Sequence, residues 1–259
     1  LIAAHASAPL LRDVWLPETQ VAAARQTAGS PKGLYFAAKG GHNAERHNHN
    51  DVGNVIVYAD GAPVLIDAGV GTYTRRTFGP DRYSIWTMQS AWHNLPTING
   101  HMQQPGREFA ACEASWSADD ERAVFQLDIA PAYPAQAGLV SWVRRITLLR
   151  GRCIEIAERC EFLATPSEVL LHLLTPCAVV QGPPGLIALE PAPLADGRVS
   201  GQARIEYPAD RFDVSLDEQP LDDGQLAKAW GARLTRVTLA LRACAARDGW
   251  VIRVTPAQA

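Results

Sequence analysis

Nowhere in this 259-residue chain do 18 consecutive apolar residues occur, which excludes a membrane-spanning helix. Its five cysteines (Cys112, Cys153, Cys160, Cys177 and Cys244) are odd in number and contain no C-x-x-C pair. Neither a zinc ribbon nor a disulfide framework fits that pattern. Most sit in apolar, strand-like runs, where cysteine serves as a small buried hydrophobe. A strong net charge is also lacking: the formal value is −3 at pH 7, which argues against a dedicated nucleic-acid binder. The sequence opens on Leu1 instead of methionine and on no leader-like stretch, so a fragment or processed piece of a longer protein is expected. Internal repeats and low-complexity tracts are missing, and helical signals are weak.

What remains is a chain able to bury a core, with 47% hydrophobic and 20% charged residues. Residues 1–110 carry nine Lys/Arg against eight Asp/Glu, and residues 111–259 fifteen against nineteen. The histidine-rich first part is thus the less acidic one, compatible with an anionic ligand. Short strand-like runs punctuated by Gly, Pro, Asp and Asn dominate, at 14–25, 34–39, 52–59, 62–67 and onward to 250–255. Several alternate polar and apolar residues, as in "TRVTLALRA" at 235–243. About a dozen strands at such spacing predict one all-β domain over 1–259, an antiparallel β-sandwich. One or two short helices complete it: "DDGQLAKAWGARL" (222–234) after an Asp cap, and a helical turn or irregular loop at 81–94. The Pro/Gly-rich segment 181–197 is expected to be a long surface excursion.

Chemistry concentrates in "HNAERHNHND" at 42–51, just before the apolar hairpin "VIVYADGAPVLID". In extended chain His47, His49 and Asp51 share one face, and Asn48 and Asn50 the other. Asp60-Gly61 marks the hairpin turn. A three-residue loop sets Asp67 opposite Val55, on the side of residues 51 and 49. A two-residue loop sets it opposite Asn54 and needs a bulge at Gly53 to recover that face. Either way Asp67 ends beside the histidine run. His93, in "SAWHNLPTING", lies 26 residues after Asp67, far enough for a loop to return it. Imidazoles plus a carboxylate make an N/O ligand set of the kind zinc favours. Two familiar motifs fail here. A cupin pattern expects Glu where Gly53 and Asn54 stand, and a metallo-β-lactamase pattern expects His at Val52 and helices that are missing.

"KGGHNAERHNHNDVGNVIVYADGAPVLIDAGVGTYT" followed by "RYSIWTMQSAWHNLPTINGHMQ" strongly resembles the β-sandwich region of heparinase II/III-like polysaccharide lyases. The matching block runs from about Trp15 to Gln104, and later strands fit more loosely. The resemblance implies a supersandwich that follows an N-terminal helical toroid absent from this chain, with the cleft for an anionic polysaccharide between the two. It implies a structural zinc held by His49, Asp67 and His93, and a catalytic role for His47 in that cleft. The family's catalytic Tyr and its carboxylate-neutralising Asn or His belong to the toroid. Tyr58, Tyr73 and Tyr83 match neither. The resemblance further implies a bacterial protein of the periplasm or exterior.

β-Elimination from a uronate removes the C5 proton and expels the C4 oxygen, which calls for a base, an acid and neutralisation of the carboxylate. Histidine titrates near neutrality and suits the first task. Arg75, Arg76 and Arg82 either pair with uronate carboxylates or sulfates or stand solvated. Trp86 and Trp92 either stack on sugar rings or anchor the core. Asp51 and Asn48 are expected to support the loop. His42 and His101 are loop residues, His172 a satisfied core histidine, and His5 carries no signal. The rival expectation is a non-catalytic carbohydrate-binding or structural module; a third is a zinc hydrolase.

Overall fold

A computed structural model describes residues 10–257, so His5 lies outside the described part. The chain first lays down β1 (Asp13–Leu16), β2 (Val21–Arg25), β3 (Leu34–Lys39), β4 (His42–Asn43), β5 (Val55–Ala59) and β6 (Ala62–Leu65). A run of short 3-10 turns then leads to β7 (Pro96–Ile98) and β8 (Gly106–Ala110). Next come β9 (Cys112–Ala118), β10 (Arg122–Asp128), β11 (Leu139–Leu149), β12 (Cys153–Phe162) and β13 (Val169–Thr175). They are followed by β14 (Ala178–Gln181), β15 (Leu186–Glu190), β16 (Ala203–Glu206) and β17 (Phe212–Pro220). The helix α1 (Gly224–Trp230) precedes β18 (Arg233–Leu241) and β19 (Arg247–Pro256).

Every pairing is antiparallel. The largest sheet has the order β14-β15-β16-β19-β12-β11-β10-β9. Two smaller sheets, β1-β2-β3-β5-β6 and β17-β18-β13-β7, face it across a shared core, and β4 pairs with β8 apart from them. The smaller sheets join where Ile66 N donates to Leu174 O at 2.9 Å and Thr175 Oγ1 to Val64 O at 2.6 Å. Aromatic contacts cross the layers: Trp15 meets Phe125 at 5.6 Å, and Phe212 meets Trp250 at 5.6 Å. In β3 the alternation works as expected, with Leu34, Phe36 and Ala38 buried and the intervening residues half-buried. Burial of each large apolar side chain contributes about 1.5–3 kcal/mol. The sandwich expectation therefore holds.

Nineteen strands among the described residues exceed the expected dozen because short elements escape period-two reading. The run 14–25 splits into β1 and β2 at the Pro17–Gln20 turn, where Gln20 N donates to Pro17 O and Gln20 takes φ 50. Segment 181–197 is a correction. It contains β15, with Ile187 and Leu189 buried, because "LIALE" alternates within a Pro/Gly-rich frame. The helix forms as expected: Asp223 Oδ1 accepts from Gln225 N and Leu226 N, and Gly231 at φ 89 ends it. Residues 81–94 form successive 3-10 turns.

The β5–β6 hairpin closes with a two-residue loop, Ala59 opposite Ala62, with φ 51 at Asp60 and 79 at Gly61. Positive φ at both centres is the twist-compatible hairpin turn. The register then jumps from Tyr58–Pro63 to Val57–Leu65, leaving Val64 as an extra residue. The bulge thus sits at Val64 and not at Gly53. Pro63 has no N–H to give the ladder, and Val64 O is taken by Thr175 instead. Continued past Leu65, this register sets Asp67 level with Val55, the face shared with the histidine loop.

Candidate metal centre

Three separate segments deliver His49, Asp67 and His93 to one point. His49 follows a turn in which Asn48 N donates to Glu45 O at 3.3 Å. Asp67 directly follows β6 and Ile66, and its Oδ1 accepts Gly69 N at 2.7 Å. His93 ends the last 3-10 turn, its N–H donating to Ser90 O at 3.1 Å. One ligand atom from each residue lies within 4.8 Å of the others. His93 Nδ1 is 3.2 Å from Asp67 Oδ2, His49 Nδ1 is 3.7 Å from Asp67 Oδ1, and the two rings lie 5.3 Å apart.

The donor set fits a cation. His93 is 1% exposed, yet neither ring nitrogen makes a hydrogen bond. Its close approach to Asp67 is an ion-pair distance outside hydrogen-bond geometry. Each such orphaned buried nitrogen costs about 1–3 kcal/mol, and ligation of a metal removes that cost at the nitrogen that ligates. Burial opposes the charged form of His93, but the Asp67 carboxylate outweighs it and raises the imidazole pKa above its usual 6.5. Burial likewise opposes ionisation of Asp67, but His93, His49 and the Gly69 N–H hold its carboxyl far below the usual range. At His49 burial prevails and lowers the pKa. Two imidazoles and one carboxylate, one imidazole already biased to neutrality, can hold a borderline divalent metal.

A buried amide network fixes the ligand segments. Asn94 N donates to Asn54 Oδ1 at 3.0 Å, and Asn94 Nδ2 to Val55 O at 2.7 Å and Ile66 O at 3.0 Å. Asn94 Oδ1 accepts Leu174 N at 2.8 Å. Asn94 thus joins β5, the Asp67 segment and β13 from the position next to His93. Gln103 brackets Val52, accepting its N–H at 3.0 Å and donating to its carbonyl at 2.7 Å, and also accepts Asn43 Nδ2 at 3.1 Å. Arg144, from the opposite sheet, reaches Gly53 O and Asn94 O. None of these three was singled out from the sequence. Asn94 and Gln103 sit in or beside the motif block, so only Arg144 had no local signal.

The expected shared face of His47, His49 and Asp51 does not form. His47 takes φ 59, which breaks the extended alternation. Its ring is exposed and lies 6.2 Å from Tyr73, itself 5.4 Å from the exposed Phe78. Asp51 is buried and pairs with Lys39 Nζ at 2.9 Å, so it supports the loop without joining the ligand group. Asn48 is a loop hub: Tyr83 Oη donates to its Oδ1 at 2.9 Å, and Arg82 Nη2 to its carbonyl at 2.7 Å. Arg82 Nη1 donates to Thr77 O, so this guanidinium braces the loop and has little left for a ligand. Arg76 bonds Ser84 Oγ, while Arg75 is exposed and makes no hydrogen bond to any described residue. Trp86 and Trp92 meet edge-on at 5.0 Å and pack against a small core of Ile66, Leu174 and Leu226, and Arg236 stacks on Trp92. Anchoring, not an open stacking platform, describes them best.

The other titrating candidates fall away from the site. His42 Nδ1 accepts Ala44 N, and His101 bridges Ile98. His172 is buried between Thr97 Oγ1 at 2.9 Å and Thr238 Oγ1 at 3.2 Å. Burial pushes its pKa down to about 3, a satisfied core histidine as expected. Tyr58 meets Tyr35 in the β3–β5 pair, away from the ligands.

The described residues thus form an antiparallel sandwich carrying a His–Asp–His donor cluster at one loop end. The chain belongs to the heparinase II/III-like family, whose C-terminal domain matches residues 30–228. Solved structures agree in fold. Heparan sulfate lyase HepC from Pedobacter heparinus superposes with a TM-score of 0.72 at 17% identity, over 97% of this chain and 37% of that one. A heparinase III gene product gives 0.73 at 14% identity, over 97% and 36%. A further heparinase III gives 0.66 at 14%, over 91% and 35%. The chain therefore spans just over a third of the length of these relatives. No curated protein sequence matches it.

Proposed function

We propose that the chain is the C-terminal sandwich of a lyase that cleaves a uronate-containing polysaccharide by β-elimination, with zinc at His49, Asp67 and His93. The observation that carries this reading is the buried His93, both ring nitrogens unpartnered, with Nδ1 3.2 Å from the Asp67 carboxylate and the His49 ring 5.3 Å away. Bound zinc would tie the three segments together and so stiffen the loop that presents His47. His47 is exposed beside this anchored loop, free to take the C5 proton or stabilise the charge that develops. Arg75, exposed and unbonded, suits a uronate carboxylate or sulfate. Arg76, which lines the same hollow as Trp86, can turn from Ser84 to the same task. The remaining acid and the group neutralising the carboxylate would come from an N-terminal helical toroid, the partner across the cleft. A bacterial periplasmic or secreted setting accords with that substrate.

The isolated chain should bind zinc with little or no turnover. In the full-length protein, His47→Ala should lower lyase activity by about 10²–10⁴-fold, with zinc content unchanged. Activity is read as the ultraviolet absorbance of the unsaturated uronate product. A carbohydrate-binding module predicts no loss from that substitution, and a zinc hydrolase predicts product without that absorbance.

A further inference from the structure

Arg144 lies on β11, in the sheet opposite the metal centre, and is 3% exposed. Its cross-strand neighbour Glu158, 1% exposed at the side chain, takes Nε at 2.9 Å and Nη2 at 2.6 Å on one oxygen. The other Glu158 oxygen accepts Trp142 Nε1 at 2.7 Å. The carboxylate thus fixes the plane of the guanidinium. The remaining nitrogen, Nη1, crosses the core and donates to two carbonyls, Gly53 O at 2.8 Å and Asn94 O at 2.6 Å. Gly53 lies four residues after His49, and Asn94 directly follows His93. One nitrogen therefore sets the spacing of the two loops that carry the imidazoles, and Asn94 passes the constraint to Ile66, the residue before Asp67.

Packing alone does not call for this arrangement. A buried ion pair is weak support for stability, and apolar residues of like volume often replace it without loss. A planar fork that satisfies a carboxylate and two carbonyls at once is specific to arginine. We infer that Arg144 is a positioning residue for the metal centre, holding the Gly53 and Asn94 carbonyls so that His49 and His93 stay at ligating separation. The inference rests on the proposed metal site. It adds a determinant from the far sheet, 50 and 91 residues away in sequence.

The test is zinc affinity of the 259-residue chain, measured by competition with a chromophoric chelator. Arg144→Lys keeps the charge but cannot span two carbonyls and Glu158. The paired Arg144→Met/Glu158→Leu removes the clamp without stranding a charge. Each should raise the zinc dissociation constant about 10- to 100-fold and alter the visible spectrum of the cobalt-substituted protein. A purely structural role instead lowers the melting temperature of metal-free and zinc-loaded protein equally, leaving affinity unchanged. Zinc affinity within twofold of the parent in either folded variant overturns the inference. In the unmodified protein zinc should slow exchange of the Arg144 guanidinium protons, and unchanged exchange also overturns it. A parent chain that takes up no zinc is a different result, which sinks the metal site itself.

Discussion

Asp67 treats its two imidazole neighbours unequally, and that inequality can be measured. The His93 pKa is raised and the His49 pKa lowered, so a proton taken up by the metal-free site sits mainly on His93. Zinc must displace that proton. Calorimetric titration in buffers of different ionisation enthalpy, run as the pH is lowered through the imidazole range, should show growing proton release and falling affinity. Binding without proton release would contradict the assignment. His172 gives a second pH signature. Its folded pKa of about 3 lies below the ordinary 6.5, so between those values the unfolded chain binds the extra proton. Stability attributable to this residue is therefore lost as pH falls from about 6.5, at up to ~1.4 kcal/mol per pH unit. Asp67, with a depressed carboxyl pKa, adds a loss of the same sign once pH falls below its unfolded value. Urea unfolding at several pH values should show His172→Gln flattening the upper part of this decline; equal slopes would refute it.

Loops and hairpins decide which of these groups meet. Gly53 takes φ 85, and a Cβ there would stand 2.6 Å from Ile129 Cγ2. Gly53→Ala should cost about 1–3 kcal/mol, read by denaturant unfolding, and should weaken zinc binding by shifting the carbonyl that Arg144 holds. Unchanged stability would show that the φ is not required. The ligand trio was legible in the sequence because His49 and Asp67 lie in one motif stretch and His93 in the stretch that follows it. The orientation of His47 was not, because a left-handed φ at a non-glycine residue leaves no mark on residue spacing. The bulge was placed wrongly for a related reason. Gly53 is the usual signal for such a defect, whereas here Pro63 and a carbonyl captured by Thr175 move it to Val64. Asn94, Gln103 and Arg144 were hidden because most of their partners are main-chain groups distant in sequence, which carry no side-chain identity to read.

At the scale of the whole molecule, the sandwich was readable from alternation and turn residues, while the number and pairing of strands were not. The short strands β4, β7 and β14 are defined by partners such as β8, β13 and β15, not by their own pattern. The layers are joined through large buried rings, and Trp142→Ala, at a fully buried site, should cost about 3–5 kcal/mol. A small loss in calorimetric or denaturant unfolding would argue against a single shared core. Because the chain spans just over a third of each lyase relative, the proposed chemistry is to be tested in the full-length protein. The claim on which the rest depends concerns this chain alone: three segments of an otherwise apolar sandwich converge to hold a metal. Its most direct test is zinc titration of the purified, metal-stripped chain. One equivalent should bind tightly and raise the melting temperature, and His93→Ala should abolish both effects. Failure of the parent chain to bind a stoichiometric zinc, or equal binding by His93→Ala, would contradict the account.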